Sequence, residues 1–321
     1  MAGLQTQAMR LVRIPAWILP AAALVLAFVT SAASAVELRF EPVAPGVYAH
    51  IGDLGGRSAE NEGLNANLGL VLTRDGAVLI DSGATHQSAR DIHAAIQRIT
   101  ALPVKWVINT GGQDHRWLGN GYFKQAGAEL IAHSNGLADL RARGAEQLAA
   151  LQVLLGDKAG GTRPTLPERL LSGEHSRLDL GGVSFEFVHR QGAHTPGDTM
   201  VWLAQHKLLF TGDVVYVDRM LNVLPVSHTA HWLASFAALE ALAPTTIVPG
   251  HGRVTDLATA GADTRDLLLA LRTHMQQAVE QGIDPSAATR SFDARPWRHL
   301  LNAAELLPGS ASRTYLEVER E

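Results

Sequence analysis

The sequence predicts two β-sheets packed together with helices outside them. Three observations predict it. Short apolar segments pair as hairpins around Pro45-Gly46, Asp75-Gly76 and Gly181-Gly182. Helical stretches at 88–100, 137–155, 230–242 and 264–281 separate the strand groups. The order, hairpins and then strand–helix units, occurs twice, as two sheets that each carry an outer helical layer require.

In chain order, 38–40 and 47–51 read as short strands. Residues 51–62 are polar and Gly-rich and read as a mobile loop. Residues 65–72 and 77–80 form the next hairpin, ending in Asp81-Ser82-Gly83. In the helix at 88–100, Ile92, Ile96 and Ile99 share one face, and Pro103 closes it. Strands follow at 104–108 and 129–132, then the long helix at 137–155 and a Gly/Pro/Thr linker at 159–167. The second half gives strands at 177–180, 183–188, 199–204, 208–211 and 246–248.

The first 35 residues read as an export signal. Arg10 and Arg13 form a basic region, 14–29 is apolar, and Ala33-Ser34-Ala35 is a small-residue cleavage signature. An uncleaved anchor is the alternative, but Pro15 and Pro20 interrupt a run already short for a span of about 20 residues. The expected location is periplasmic or secreted, with no stable membrane insertion after cleavage. Removing 1–35 takes away two arginines and no acidic residue, moving the formal charge from −4 to −6. That balance argues against a nucleic-acid partner. There is no cysteine, so disulfides, thiol nucleophiles and thiolate ligands are excluded.

The chemistry concentrates in Asn109-Thr110-Gly111-Gly112-Gln113-Asp114-His115-Arg116-Trp117-Leu118-Gly119-Asn120. A buried strand delivers this Gly-rich turn, which presents adjacent Asp114 and His115. A carboxylate and an imidazole at a strand mouth suit a divalent cation such as zinc. Four further landmarks end or adjoin strands: Asp81-Ser82-Gly83, His194-Thr195-Pro196-Gly197-Asp198, Thr211-Gly212-Asp213 and Pro249-Gly250-His251-Gly252.

In this order the five landmarks resemble the metallo-β-lactamase fold. Its signature loop reads Asn-Thr-His-x-His-x-Asp-His-x-x-Gly-Asn; Gly111 and Gln113 stand where the two leading histidines would be. The resemblance implies an α+β protein, a four-layer αββα sandwich over about 36–257, with 258–321 as a C-terminal helical extension. It implies a groove for two metals. The second metal's ligands match Asp114, His115, Asp213 and His251, with Asp213 shared. The first metal's set keeps only His194 and Asp213. One zinc ion is the expected cofactor, and iron or manganese also suit the donors.

The implied activity is hydrolysis of an ester, thioester, lactone or amide carbonyl of a small-molecule substrate. Water would be activated on the single metal. Asp114 and His194 are the candidate catalytic residues, His194 as a base freed from metal binding. Asp198 would orient His194, and Asp81 would support the ligands. Restoring both histidines, Gly111→His with Gln113→His, would rebuild the first site. A non-catalytic metal- or ligand-binding protein is the alternative. Within the fold the chain is similar to exported quinoprotein relay system zinc metallohydrolases, through 213–252 and Thr314-Tyr315-Leu316-Glu317-Val318-Glu319. That similarity implies a functional link to a periplasmic quinone-cofactor dehydrogenase. Trp117 and Tyr216 read as groove wall or core; His86, His228 and His231 lie on segments that could face the groove and are assigned no role.

Overall fold

The computed structural model describes Gly3 and residues 38–321. Apart from Gly3, the expected signal segment at 1–35 lies outside the described residues.

The first sheet runs in sequence order: β1 (Glu41–Ala44), β2 (Val47–His50), β3 (Leu68–Leu72), β4 (Ala77–Ile80), β5 (Val104–Ile108), β6 (Glu129–His133) and β7 (Arg169–Leu171). Its first three joins are antiparallel and its last three parallel. The second sheet contains β8 (His175–Leu180), β9 (Val183–His189), β10 (Thr199–Leu203), β11 (Leu208–Phe210) and β12 (Thr246–Val248), ordered β12-β11-β10-β9-β8.

Helices α1 (His86–Gln97), α2 (Asp114–Trp117), α3 (Asn120–Gln125) and α4 (Leu137–Leu155) belong to the first half. Helices α5 (Thr229–Leu242), α6 (Leu257–Ala260), α7 (Asp266–Glu280), α8 (Pro285–Ser291) and α9 (Ala303–Val318) belong to the second.

Period-two alternation makes the layers. In β4, Val78 and Ile80 enter the core between the sheets, while Ala77 and Leu79 pack toward α1 with Ile92 and Ile96. In β10, Val201 and Leu203 point between the sheets, and Met200 and Trp202 meet the helices on the other side. The result is the expected four-layer αββα sandwich.

Three details differ from the sequence reading. Residues 38–40 are not a strand, because the positive-φ turn at Gly46 pairs the residues next to it, Ala44 with Val47. β7, only three residues long, escaped notice beside the linker. The C-terminal helices do not stand apart: Leu267, Leu271, Met275 and Tyr315 share one hydrophobic core with Met200, Trp202 and Trp232.

Candidate metal centre

The signature loop is built inward from its ends. Asn109, after β5, and Asn120, opening α3, exchange side-chain hydrogen bonds of 3.0 and 2.8 Å. Ser82 Oγ donates to Asn120 Oδ1 at 2.8 Å. This clamp holds the loop ends, and between them the chain winds one turn, α2. A single turn is not stable alone, so tertiary partners hold it. It buries Asp114, His115 and Arg116 in succession.

Three donors converge there. Atoms of His115, Asp213 (after β11) and His251 (after β12) lie within 4.8 Å of one another. His251 Nε2 is 3.3 Å from Asp213 Oδ1, and His115 Nε2 is 3.6 Å from Asp213 Oδ2. The Nδ1 of His251 donates to the Asn65 carbonyl at 2.9 Å. A carbonyl only accepts, so Nδ1 carries the proton and Nε2 keeps its lone pair. That lone pair faces a carboxylate oxygen, an arrangement that repels unless a cation lies between them.

Both ring nitrogens of His115 are buried without a hydrogen-bond partner, which in an interior marks a missing group. Burial lowers the pKa of His251 to about 3 and of His115 to about 4, against the opposing pull of Asp213. Both rings are therefore neutral at pH 7, the state that ligates metal.

Arg116 lies beneath the donors, and the sequence reading gave it no role. Its Nε and Nη2 donate to Asp213 Oδ2 at 3.1 Å and Oδ1 at 2.6 Å. Its Nη1 donates to Asp81 Oδ2 at 2.8 Å and the Asn67 carbonyl at 3.0 Å, and Nη2 also donates to the Gly250 carbonyl at 3.0 Å. All five guanidinium donors are used. Burial pushes the Asp213 carboxyl up, but Arg116 and the two histidines outweigh it and hold the pKa well below the usual range. Gly250 accommodates the fork: a Cβ there would lie 2.7 Å from Arg116 Nη2. The only sequence signal for this burial was position, between His115 and the apolar pair Trp117-Leu118.

Of the expected residues, then, His115, Asp213 and His251 meet. Asp114 does not join them. Its Oδ2 pairs with Arg57 from the loop at 52–64, and its Oδ1 accepts the His115 backbone N–H at 2.8 Å. His194 is not a free base near neutral pH. Its Nε2 donates to Gln113 Oε1 at 2.6 Å, and burial lowers its pKa to about 4. Gln113 thus directs its amide oxygen to His194.

Asp198 does not orient His194 but holds Thr195, accepting from its backbone N–H at 2.9 Å and from its hydroxyl. Asp81 accepts from Thr110 N and Oγ1 at 2.8 and 2.7 Å as well as from Arg116. Trp117 is core. Tyr216 lines the groove, its ring stacked on His251 at 4.9 Å.

The donors open on a pocket of about 280 Å³ whose lining includes Gln113, His115, His251, Arg57 and Arg219, with Asn302, Glu305 and Leu306 supplied by the C-terminal segment. A larger cleft of about 560 Å³, beside residues 223–228 and α9, holds a second donor group, His228, Glu317 and Glu321. That group is already satisfied. Arg272 pairs with both glutamates, and Glu317 caps α5 through the Thr229 and Ala230 N–H groups at 2.9 and 3.2 Å.

The fold and this groove define a metallohydrolase-type scaffold. The chain matches the metallo-beta-lactamase superfamily over residues 61–251, and it belongs to that family. It is 25% identical over 178 residues to the 2,4-dinitroanisole O-demethylase subunit alpha of Nocardioides sp., covering 55% of this chain and 49% of that protein. It is 35% identical over 92 residues to an acyl-coenzyme A thioesterase of Gallus gallus, covering 27% of this chain and 32% of the thioesterase. The chain thus spans half or less of the curated relatives it matches.

Among solved structures, a metallo-beta-lactamase from Pontibacter korlensis aligns with TM-score 0.59 at 20% identity, over 72% of this chain and 99% of that one. The sec-alkylsulfatase Pisa1 from Pseudomonas sp. aligns with TM-score 0.66 at 18% identity, over 87% of this chain and 50% of that one. These likenesses concern the fold.

Members of this fold usually bind metal ions, and the residues present fit one. Two neutral imidazoles and a carboxylate converge, with lone pairs unmet by any proton, and this donor set suits zinc, iron or manganese.

Proposed function

We propose that this chain is an exported, metal-dependent hydrolase of small molecules that uses one metal ion, zinc in the simplest case. His115, Asp213 and His251 hold it, and Asp114 completes the set when Arg57 releases it. The observation that carries this reading is the His251 lone pair facing Asp213 at 3.3 Å beside a His115 without partners. A bound ion supplies acidity to water and polarises a carbonyl. The chain's own groups do the rest. Asn65 sets the His251 tautomer, and Arg116 fixes the Asp213 carboxylate. Tyr216 stays a neutral phenol, since burial and Asp213 raise its pKa well above the usual value. In the reaction the water oxygen bonds to the carbonyl carbon, the bond to the leaving group breaks, and the leaving group takes a proton.

The thioesterase relative supports an acyl substrate. The quinone-cofactor dehydrogenase link belongs to this proposal as an association only.

A second reading, a binding protein without turnover, draws on a different observation. Arg116 and Arg57 neutralise Asp213 and Asp114, and Gln113 ties His194. Elemental analysis of dialysed protein, with a screen of chromogenic esters, thioesters and lactones, separates the two. The hydrolase reading expects one equivalent of metal, lost together with turnover in His251→Ala. Metal without turnover supports the binder, and absence of metal overturns both metal assignments.

A further inference from the structure

We propose that the pocket takes a substrate carrying an oxyanion, a carboxylate, sulfate or phosphate, and that Arg219 anchors it. The inference rests on this pocket being the substrate site and names the handle by which the substrate is held.

Arg219 differs from the other two arginines here. Arg116 uses every donor, and Arg57 is paired with Asp114. Arg219 is only 7% exposed, yet among the described residues no carboxylate forms an ion pair with it. Its Nη1 donates to the Gly55 carbonyl at 2.9 Å, and its buried Nε has no partner. A buried guanidinium without a counter-ion is unfavourable unless something supplies the missing charge. The space beside it is the pocket, which it lines together with His115 and His251. A guanidinium fork matches an oxyanion with two parallel N–H···O bonds.

The rest of the wall agrees. Arg57 lines the same pocket and feels the charge of Arg219. Glu305 is the one carboxylate in the lining, so guanidinium groups outnumber carboxylates there by two to one. Asn65 Oδ1, also in the lining, is a buried acceptor without a donor. The main chain on either side of the guanidinium is fixed: Met220 N and Leu301 N form hydrogen bonds of 2.8 and 3.0 Å that tie this segment to the C-terminal region. The pocket is thus preorganised for its ligand.

The test has two arms. The first titrates the purified full chain with inorganic sulfate and phosphate at constant ionic strength, read by calorimetry, for wild type, Arg219→Gln and Arg219→Lys. Saturable binding, weakened tenfold or more in Arg219→Gln and partly retained in Arg219→Lys, is expected. No saturable binding by wild type, or equal binding by a folded Arg219→Gln, overturns the proposal. The second arm uses wild type alone, so it does not depend on a variant folding. It compares kcat/KM for 4-nitrophenyl acetate and for the 4-nitrophenyl half-ester of succinate. A preference of at least tenfold for the anionic ester is expected, and equal rates overturn the proposal. Sulfate binding that depends on Arg219 in a protein without turnover sinks the hydrolase reading and leaves this inference standing. Turnover without anion preference does the reverse.

Discussion

The groove has two sides. On one, His115, Asp213 and His251 converge with their lone pairs unmet. On the other, Gly111, Gln113 and His194 form a closed arrangement. Gln113 Oε1 accepts from His194 Nε2 at 2.6 Å, Gly112 N donates to Thr195 Oγ1 at 2.9 Å, and Asp198 holds Thr195. The first side presents a donor set that suits a divalent cation. The second is tied by direct contacts between the loops, although His194 Nδ1 stays without a hydrogen-bond partner. The contacts on that side make a two-histidine site harder to build than two substitutions suggest.

The largest effect should come from the cation that holds the converged side together. Arg116→Met leaves Asp81 and Asp213 buried without their shared partner. Breaking a buried ion pair this way costs roughly 3–5 kcal/mol, so chemical unfolding should show a loss of that size. A loss below about 1 kcal/mol would mean that the carboxylates find another partner and that the side is not organised by Arg116.

Next comes an attempt to reverse the repacked side. Restoring Gly111→His with Gln113→His was expected to create a second metal site, but the structure opposes it. Gly111 has no positive φ, so backbone strain is not the obstacle. Instead, a Cβ there would lie 2.6 Å from Asp198 Oδ1. Overpacking of this kind costs about 1–3 kcal/mol. The double variant should lose stability on that scale and still hold a single equivalent of metal by elemental analysis. Two equivalents in a stable variant would break the comparison, showing the second side to be merely empty.

A smaller effect sharpens the first side. Arg57 and a metal ion compete for Asp114 Oδ2. Arg57→Gln should therefore tighten metal binding by about tenfold, or about 1.4 kcal/mol, in a calorimetric titration. Unchanged affinity would mean that Asp114 takes no part in holding the ion.

A further effect concerns pH. Burial, and then Asp213, raise the Asp198 pKa to about 7 from an ordinary 3.8. The folded value lies above the unfolded one, so the protonated acid stabilises the fold at low pH. That stability is present below about pH 4 and lost as pH rises through about 7. Asp198→Asn, which mimics the protonated acid, should flatten this slope and be more stable than wild type at pH 8. Parallel stability curves for the two proteins would place the titration elsewhere.

The fold was readable because its signals are local. Val78 and Ile80 alternate with Ala77 and Leu79, and Ile92 and Ile96 share one face of the helix read at 88–100, which runs from 86 to 97. The landmark order was equally visible, since each motif is a short run at a strand end. What escaped was the state of each motif. Asp114 was chosen from its place beside His115, but Arg57, 57 residues away, takes its oxygen. His194 was assigned as a base on the absence of a neighbouring metal, without the burial that makes protonation costly.

The sequence by itself therefore determined where most strands and helices run, because periodicity and turn chemistry act over a few residues, while the landmark order implied the four layers through its resemblance to a known fold. The tertiary structure alone decided which groove side chains converge with unpaired donor atoms and which are already paired. Arg116 meets Asp81, Asp213 and Gly250 across 35, 97 and 134 residues of chain. Pairing at such separations depends on distance and desolvation in the folded chain, and neither leaves a trace in the residues on either side of an arginine.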